Sequence, residues 1–257
     1  MPHPDPSVPY QVVLSRGLPD EAGAVRLRRD LPEAEWRRIA RLRQPDDRLR
    51  SLVGRALARR LLGQRLGRAP AQVSLIAGPR GKPMLMEAGP HASGMPPALH
   101  FNIAHSGDLV LVGIGPEPLG VDVEHCPDSV DAALWRLITG RPPPPEAPPD
   151  PRALCTHWVR REAVLKACGL GLAAEPGTLR LADADAAGWS RVSGRPEVEH
   201  LRVRLLWASP DHCAALCLPD AATRPPACAS AGSPPSESWS LRTQALADWI
   251  GAPRPAT

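Results

Sequence analysis

The chain has 257 residues, 43% hydrophobic and 23% charged, which is ordinary for a soluble protein of one large domain or two small ones. Its formal net charge is +4, and arginines crowd the first third, from Arg16 to Arg68, which favours an anionic partner. No apolar run is long enough to span a membrane and the N-terminus lacks an apolar signal core, so we expect a cytoplasmic protein without membrane contact.

Helical and strand signals alternate along the first half of the chain. Residues 10–14 predict a strand, and residues 31–43 predict a helix with Pro32 near its start. A second helix opens at Pro45-Asp46-Asp47. Five short strands parted by glycine and proline follow, at residues 73–77, 84–86, 99–104, 109–114 and 119–124.

The second half repeats the order of helix and then strands. Residues 130–138 predict a short helix, residues 141–149 a proline-rich exposed loop, and the segment around Trp158 a helix ending at Gly169 or Gly171. Two final strands are predicted at residues 201–207 and 213–218. We therefore expect an N-terminal half at residues 1–118, a C-terminal half at 119–223, and a flexible tail at 224–257 whose one candidate element is a helix at 241–250.

The six cysteines form no C-x-x-C pair. His212-Cys213-x-x-x-Cys217 suggests a metal site, but it lies in an apolar run, so buried strand thiols are the favoured interpretation.

Four charged residues indicate a metal-assisted reaction. Asp122 and Glu124 alternate with valines, so a strand points both carboxylates to one face. Glu162 and Lys166 lie one helical turn apart on a shared face. Three carboxylates with one ammonium suit a hard divalent cation that holds phosphate oxygens.

Lysine usage singles out the same region. Lys82 and Lys166 are the only lysines of the chain, whose other basic side chains besides histidine are arginines. Taken alone, this pattern is explained equally well by chance and by a need for a compact, rotatable ammonium at both positions. Taken alone, Gly81-Lys82-Pro83 is an ordinary turn, and His105-Ser106-Gly107 is a polar turn that follows a strand.

Four segments occur in a fixed order along the chain. They are Gly81-Lys82-Pro83, Phe101-Asn102-Ile103-Ala104-His105-Ser106-Gly107, Gly120-Val121-Asp122-Val123-Glu124, and Trp158 to Leu172 with Glu162, Lys166, Gly169 and Gly171 inside it. In this order and spacing they closely resemble the 4'-phosphopantetheinyl transferases of the surfactin-synthetase-activating (Sfp-like) type. The resemblance covers about residues 30–220 and is most specific from His105 to Leu172.

The resemblance implies an α+β fold, namely a monomer of two similar, pseudo-symmetric α+β halves with the active site in the cleft between them. It implies Mg²⁺, with Mn²⁺ as an alternative, and coenzyme A as co-substrate. The implied reaction moves the 4'-phosphopantetheine arm of coenzyme A onto a serine of an apo acyl or peptidyl carrier protein and releases adenosine 3',5'-bisphosphate.

The resemblance also assigns roles to individual residues. The implied metal ligands are Asp122, Glu124 and Glu162. The implied catalytic residues are Glu162 as base, Lys166 at the leaving bisphosphate, and His105. The implied coenzyme A contacts are Arg50, Lys82, Pro83, His105, Ser106, Asp122 and Lys166. Three features depart from the family pattern. Ala104 stands where Ser or Thr is common, Arg161 where Lys usually precedes the glutamate, and residues 138–151 replace a Phe-Phe-Ser-x-x-Glu segment.

Two other interpretations remain open. A non-catalytic relative that binds coenzyme A or a carrier protein is disfavoured by the intact Asp122, Glu124, Glu162 and Lys166. A basic nucleic-acid-binding protein explains the arginines but not the carboxylates, which repel a phosphate backbone. Tyr10 and Phe101 are the only aromatics besides seven tryptophans, so a base-stacking surface is poor and we expect no nucleic-acid partner.

Overall fold

A computed structural model describes residues 8–78, 82–86, 99–145, 148–171, 174–223 and 239–246. Helices and sheets are both present, which confirms the predicted α+β class. Among the described residues, none of the helices combines the length and the apolar character needed to cross a bilayer.

The first sheet has four strands in the order β11-β1-β5-β4. These are β1 (Tyr10–Arg16), β4 (His100–Ser106), β5 (Leu109–Gly115) and β11 (Trp239–Ala245). Strands β1, β5 and β4 are antiparallel, whereas β11 runs parallel to β1. A separate two-stranded ribbon joins β2 (Leu75–Ala77) to β3 (Pro83–Leu85).

Three helices pack on the first sheet or beside it: α1 (Glu21–Arg28), α2 (Glu33–Ile39) and α3 (Pro45–Leu66). Proline favours the start of α3 because it lacks the N–H group that would have no partner there, and two aspartates in the first turn suit the positive end of the helix dipole. Gly67 ends the helix in the left-handed conformation. The apolar stripe of α3 contacts β4 and β5.

The second sheet has five strands in the order β6-β10-β9-β8-β7. They are β6 (Gly120–His125), β7 (Arg180–Leu181), β8 (Trp189–Ser193), β9 (Leu201–Ala208) and β10 (His212–Pro219). Helix α4 (Ala132–Thr139) precedes α5 (Pro151–Cys168), which packs across β6, β10 and β9.

The apolar core has three main parts, and together they fix the relation of the two halves. One lies between α3 and the first sheet, a second between α5 and the second sheet, and a third between the two sheets. The third includes Leu14, Leu111, Val121 and Leu216, all with at most 1% exposure. Strands of both sheets therefore contribute to one shared apolar core.

The C-terminal segment corrects one prediction. A helix was expected at residues 241–250, but residues 239–245 form β11. Period-two alternation and pairing with β1 over seven residues outweigh the short helical pattern. Leu246 is buried in the core under α3. The tail at 224–257 therefore includes a strand of the first sheet, and its remaining residues, 224–238 and 247–257, lie outside the described part.

Candidate active site

Strand β6 presents carboxylates to one side and apolar residues to the other. Val121 and Val123 point into the core between the sheets, whereas Asp122 and Glu124 face α5. Gly120 allows this close approach, because a Cβ at that position would lie 1.9 Å from the carbonyl oxygen of Ala163 on α5. The strand and the helix are thus packed backbone to backbone beside the carboxylates.

One stripe of α5 faces these carboxylates. Cys155, Trp158, Glu162 and Lys166 follow one another at intervals of three and four residues, which places them on a common helix face. Asp150 caps the start of the helix by accepting from the N–H groups of Arg152 and Ala153. The helix therefore brings one carboxylate and one ammonium to Asp122 and Glu124, as the sequence spacing predicts.

A partly buried ion pair joins the strand to the helix. The Lys166 ammonium donates to Asp122 Oδ1 at 2.5 Å, and the Asp122 side chain is 2% exposed. Two further carboxylate oxygens, Asp122 Oδ2 and Glu162 Oε1, are buried without a hydrogen-bond partner in the described structure. Buried carboxylate oxygens are normally paired, so these two orphaned atoms indicate a missing positive group.

The electrostatics of the cluster show the same imbalance. Burial raises the pKa of Asp122 to about 7; the Lys166 ammonium opposes this rise, and the charges of Glu124 and Glu162 add to it. Burial likewise raises the pKa of Glu162, with Lys166 opposing and Glu124 adding. One lysine therefore does not neutralise three neighbouring carboxylates.

These residues fit a hard divalent cation. Asp122, Glu124 and Glu162 offer oxygen ligands of the kind that Mg²⁺ and Mn²⁺ prefer, and the orphaned oxygens of Asp122 and Glu162 are free to bind it. Glu124 is already oriented, because the Trp158 indole N–H lies 3.5 Å from its Oε1.

Strand β4 of the first half lies directly beside β6. The Val121 N–H donates to Asn102 Oδ1 at 2.9 Å, and the His125 N–H donates to Ser106 Oγ at 2.9 Å. The alternation of β4 therefore turns Asn102 and Ser106 toward the second half. Ser106 keeps its own O–H as a donor.

His105 and Arg50 lie on the first-half side of the site. The Arg50 guanidinium donates to the carbonyl of Gly107 at 2.8 Å and to Asp47 at 2.7 Å, which holds it against the turn after His105. Gly107 has φ +58°, a conformation that glycine tolerates best. Loss of hydration lowers the pKa of His105, and the positive charges of Arg50 and Lys166 lower it further. His105 is thus within electrostatic range of groups from both halves.

Lys82 and Pro83 complete the set predicted from sequence. The Lys82 ammonium donates to the backbone carbonyl of Lys166 at 2.5 Å, so the two lysines of the chain are neighbours. A cleft of about 280 Å³ is lined by Lys82, Pro83, Phe101, Asn102, Lys166 and Gly169, among others. The cleft is therefore formed by both halves. Gly81 and Leu172, also quoted in the sequence motifs, lie outside the described residues.

Two side chains near the cluster were missed as functional candidates by the sequence reasoning. Asn102, 6% exposed, ties β4 to β6, and Trp158 contacts Glu124. The signals were present, because a buried amide needs a partner and Trp158 shares a helix face with Glu162.

Arg161 and the proline-rich loop lie away from the carboxylates. Arg161 is 5% exposed and donates to the carbonyls of Pro176, Thr139 and Leu179, so its charge fixes α5 to neighbouring loops. Beside it is a pocket of about 980 Å³, lined by residues 142–145 among others.

Comparison with known proteins agrees with this geometry. A family model described as 4'-phosphopantetheinyl transferase, N-terminal, matches residues 19–116. A phosphopantetheinyl transferase of Thraustochytrium sp. is 28% identical over 60% of this chain and 58% of its own length. The 4'-phosphopantetheinyl transferase HetI of Nostoc sp. is 27% identical over 61% of this chain and 72% of its own.

A 4'-phosphopantetheinyl transferase of Bacillus subtilis is 32% identical over 34% of this chain and 36% of its own length. The matched stretch thus spans between about a third and three quarters of these relatives, and 58% of the Thraustochytrium protein. The family-model match and these relatives show that the chain is similar to 4'-phosphopantetheinyl transferases.

Proposed function

We propose that this chain transfers the 4'-phosphopantetheine arm of coenzyme A to a serine of an apo acyl or peptidyl carrier protein, with Mg²⁺ or Mn²⁺ bound. The observation that carries this proposal is the excess of buried carboxylate beside a cleft formed by both halves. Two carboxylate oxygens without partners next to a single lysine destabilise a metal-free protein. In a protein that binds a cation and a diphosphate, the same oxygens are available as metal ligands.

The reaction requires charge neutralisation on one side and proton removal on the other. The serine oxygen forms a bond to the phosphorus that carries the pantetheine arm, and the bond from that phosphorus to the bridging oxygen breaks. Adenosine 3',5'-bisphosphate leaves with the electron pair, and the serine proton goes to a base. A cation held by the three carboxylates would supply positive charge to the diphosphate.

The residues of this chain divide these tasks. Asp122, Glu124 and Glu162 hold the cation, and Glu162, whose pKa burial raises, accepts the serine proton directly or through water. Lys166 stabilises or protonates the leaving oxygen with its ammonium, which has three rotatable donors. The ion pair with Asp122 holds Lys166 in place for this role.

Residues of the first half hold coenzyme A. Lys82 and Pro83 line the cleft, and Ser106 and His105 lie at the end of β4. Asp122, which the second half contributes, contacts the cleft residue Lys166. Lys82, Arg50 and the Ser106 hydroxyl are hydrogen-bond donors suited to phosphate oxygens, although Arg50 is already shared with Asp47 and Gly107. We also propose the division at residue 118, with residues 1–118 contributing coenzyme A contacts and residues 119–223 the metal ligands. One chain supplies both groups, so a monomer suffices.

Intact-mass measurement tests the proposal directly. Several apo carrier proteins are incubated with the full chain, coenzyme A and Mg²⁺, and each is weighed. We expect at least one carrier to gain one phosphopantetheine arm, and its serine-to-alanine variant to gain none. If no carrier gains mass, although every one of them is modified by a transferase of known activity, the proposed reaction is wrong.

A further inference from the structure

Three cysteine thiols lie close together next to Glu124 of the carboxylate cluster. Cys126 follows β6, Cys155 lies in the first turns of α5, and Cys213 lies at the start of β10. Their sulfur atoms all lie within 4.8 Å of one another, and the Cys126 and Cys213 sulfurs are 3.9 Å apart. All three residues are buried, with exposures of 7%, 3% and 0%. Residues from three separate parts of the chain therefore place their thiols close together.

We propose that Cys126, Cys155 and Cys213 form a binding site for a thiophilic metal ion of the Zn²⁺ or Cd²⁺ class. This site is distinct from the carboxylate site, because thiolate ligands select soft or borderline cations and carboxylate oxygens select Mg²⁺. The proposal does not depend on the transferase reaction.

The spacing of the sulfurs matches such an ion. Zinc–sulfur bonds are about 2.3 Å long, which places the sulfurs of a trigonal or tetrahedral site about 3.8–4.0 Å apart. The separation of 3.9 Å between Cys126 and Cys213 falls within this range. A contraction of under about 1 Å brings the widest separation into it as well.

A hydroxyl and a guanidinium lie near the three thiols. The Thr156 hydroxyl lies 3.6 Å from the Cys213 sulfur, and a water can complete four-coordination. The Arg152 guanidinium acts electrostatically on Cys126 and Cys213. It offsets part of the negative charge that three thiolates carry around a divalent ion.

The thiol site is connected to the carboxylate site through Glu124. The Cys155 thiol lies 3.6 Å from the Glu124 carbonyl, and Cys213 is the strand partner of Glu124. Metal binding removes the thiol proton of Cys155, so this hydrogen bond is lost when the ion binds. An ion at the thiols therefore acts on the strand that presents Glu124.

Cadmium titration tests the site with a readout independent of transfer. The full chain carries Cys228→Ser, because residue 228 lies outside the described part, and excess Mg²⁺ occupies the oxygen ligands. We expect one equivalent of Cd²⁺ to produce the ultraviolet charge-transfer absorption of cadmium thiolates. Cys126→Ala, Cys155→Ala or Cys213→Ala should weaken binding about a hundredfold or more, since even loss of groups that only orient a ligand costs about 10–100-fold.

Cys217→Ala is the matched control. Cys217 is fully buried on the same strand as Cys213 and in the same apolar core, but it is not one of the three clustered thiols. Its variant should bind Cd²⁺ like the parent. The proposal is overturned if the parent gives no absorption at one equivalent, or if the three cluster variants bind as the parent does.

Cadmium NMR of the parent chain covers the case in which a cluster variant does not fold. A ¹¹³Cd resonance in the range of thiolate-rich sites supports the assignment without any substitution in the cluster. A resonance in the range of oxygen ligands overturns it.

Discussion

The two halves of this molecule bury carboxylates in opposite ways. In the first half, Glu35 of α2 is 9% exposed, and its carboxylate accepts hydrogen bonds from the guanidinium groups of Arg55 at 2.5 Å and Arg59 at 3.0 Å. Arg59, itself 1% exposed, also donates to the carbonyls of Val73 and Pro70. In the second half, Asp122 and Glu162 share a single lysine and leave two oxygens without partners.

The difference distinguishes a structural ion pair from a functional one. A buried pair whose donors and acceptors are matched belongs to the stability of the fold. A buried group of like charges whose atoms lack hydrogen-bond partners is a candidate ligand-binding site. In the described structure, Asp122 Oδ2 and Glu162 Oε1 have no such partner, so a bound cation is needed to neutralise their charge. Substitutions in the two places should therefore affect different properties.

The largest expected effect is loss of transfer when a metal ligand is removed. Asp122→Ala, Glu124→Ala and Glu162→Ala should each abolish modification of a carrier protein, because each removes one oxygen ligand from the cation site. Intact-mass time courses measure this, with circular dichroism to confirm folding. Chelation of the parent protein should have the same effect, and added Mg²⁺ or Mn²⁺ should restore activity. Full activity in excess EDTA contradicts the metal assignment.

A first-half substitution should affect stability instead. Glu35→Gln leaves the buried Arg59 without its carboxylate, and loss of one partner of a buried pair destabilises by about 3–5 kcal/mol. We expect a lower midpoint in urea denaturation, with unchanged transfer per folded molecule at low temperature. Unchanged stability indicates that the pair contributes nothing to the fold.

Glu33→Gln is the matched control on the same helix. Glu33 contacts Arg28 and Arg37 from an exposed position, with 54% of its side chain accessible. Solvent screens such pairs, so the denaturation midpoint should barely move. A fall equal to that of Glu35→Gln contradicts the distinction between matched buried pairs and surface pairs.

The Lys166→Arg substitution changes the shape of the charged side chain while it keeps the positive charge. A guanidinium is planar, wider and almost never deprotonated, so it does not give a proton to the leaving oxygen as an ammonium can. We expect turnover to fall about a hundredfold, equivalent to about 2.7 kcal/mol in the barrier. Coenzyme A affinity, measured by calorimetry, should change little. Near-normal turnover of Lys166→Arg excludes a specific proton-donor role, and near-normal turnover of Lys166→Ala excludes an electrostatic role as well.

Truncation after Pro226 tests the contribution of the last strand. It removes β11 from the edge of β1 and withdraws Leu246, which is 3% exposed, from the core. Loss of one buried leucine side chain alone costs about 2–5 kcal/mol, so we expect destabilisation of at least about 2 kcal/mol. A thermal melt within a degree of the full chain shows that β11 adds nothing to the sheet.

The sequence predicts the carboxylate cluster better than it predicts the short or distantly paired elements of either sheet. The alternation of β6 and the helical spacing of Glu162 and Lys166 determine which faces meet, so the cluster follows from local periodicity. Strand β11 does not follow, because its stability comes from a partner more than two hundred residues away. Helix α1 and the short strands β7 and β8 were not predicted either, since their apolar patterns are brief.

The thiol cluster was unpredictable for a related reason. Burial of Cys213 and Cys217 follows from their apolar strand. The meeting of Cys213 with Cys126 and Cys155 depends on the order of β6 and β10 and on the packing of α5, which no local pattern specifies. Likewise, the contact of Asn102 with β6 depends on how the two halves meet.

Thermal melting of the parent and of Asp122→Asn tests the central claim most directly. Because burial raises the pKa of Asp122 from 3.8 to about 7, its contribution to stability is present below about pH 4 and is lost as the pH rises through 7. In EDTA, Asp122→Asn should therefore melt above the parent at pH 8, with the difference growing between pH 4 and 7. Mg²⁺ with coenzyme A should raise the melting temperature of the parent much more than that of the variant. A variant that melts below the parent in EDTA, and responds equally to Mg²⁺, contradicts a carboxylate site built for a cation.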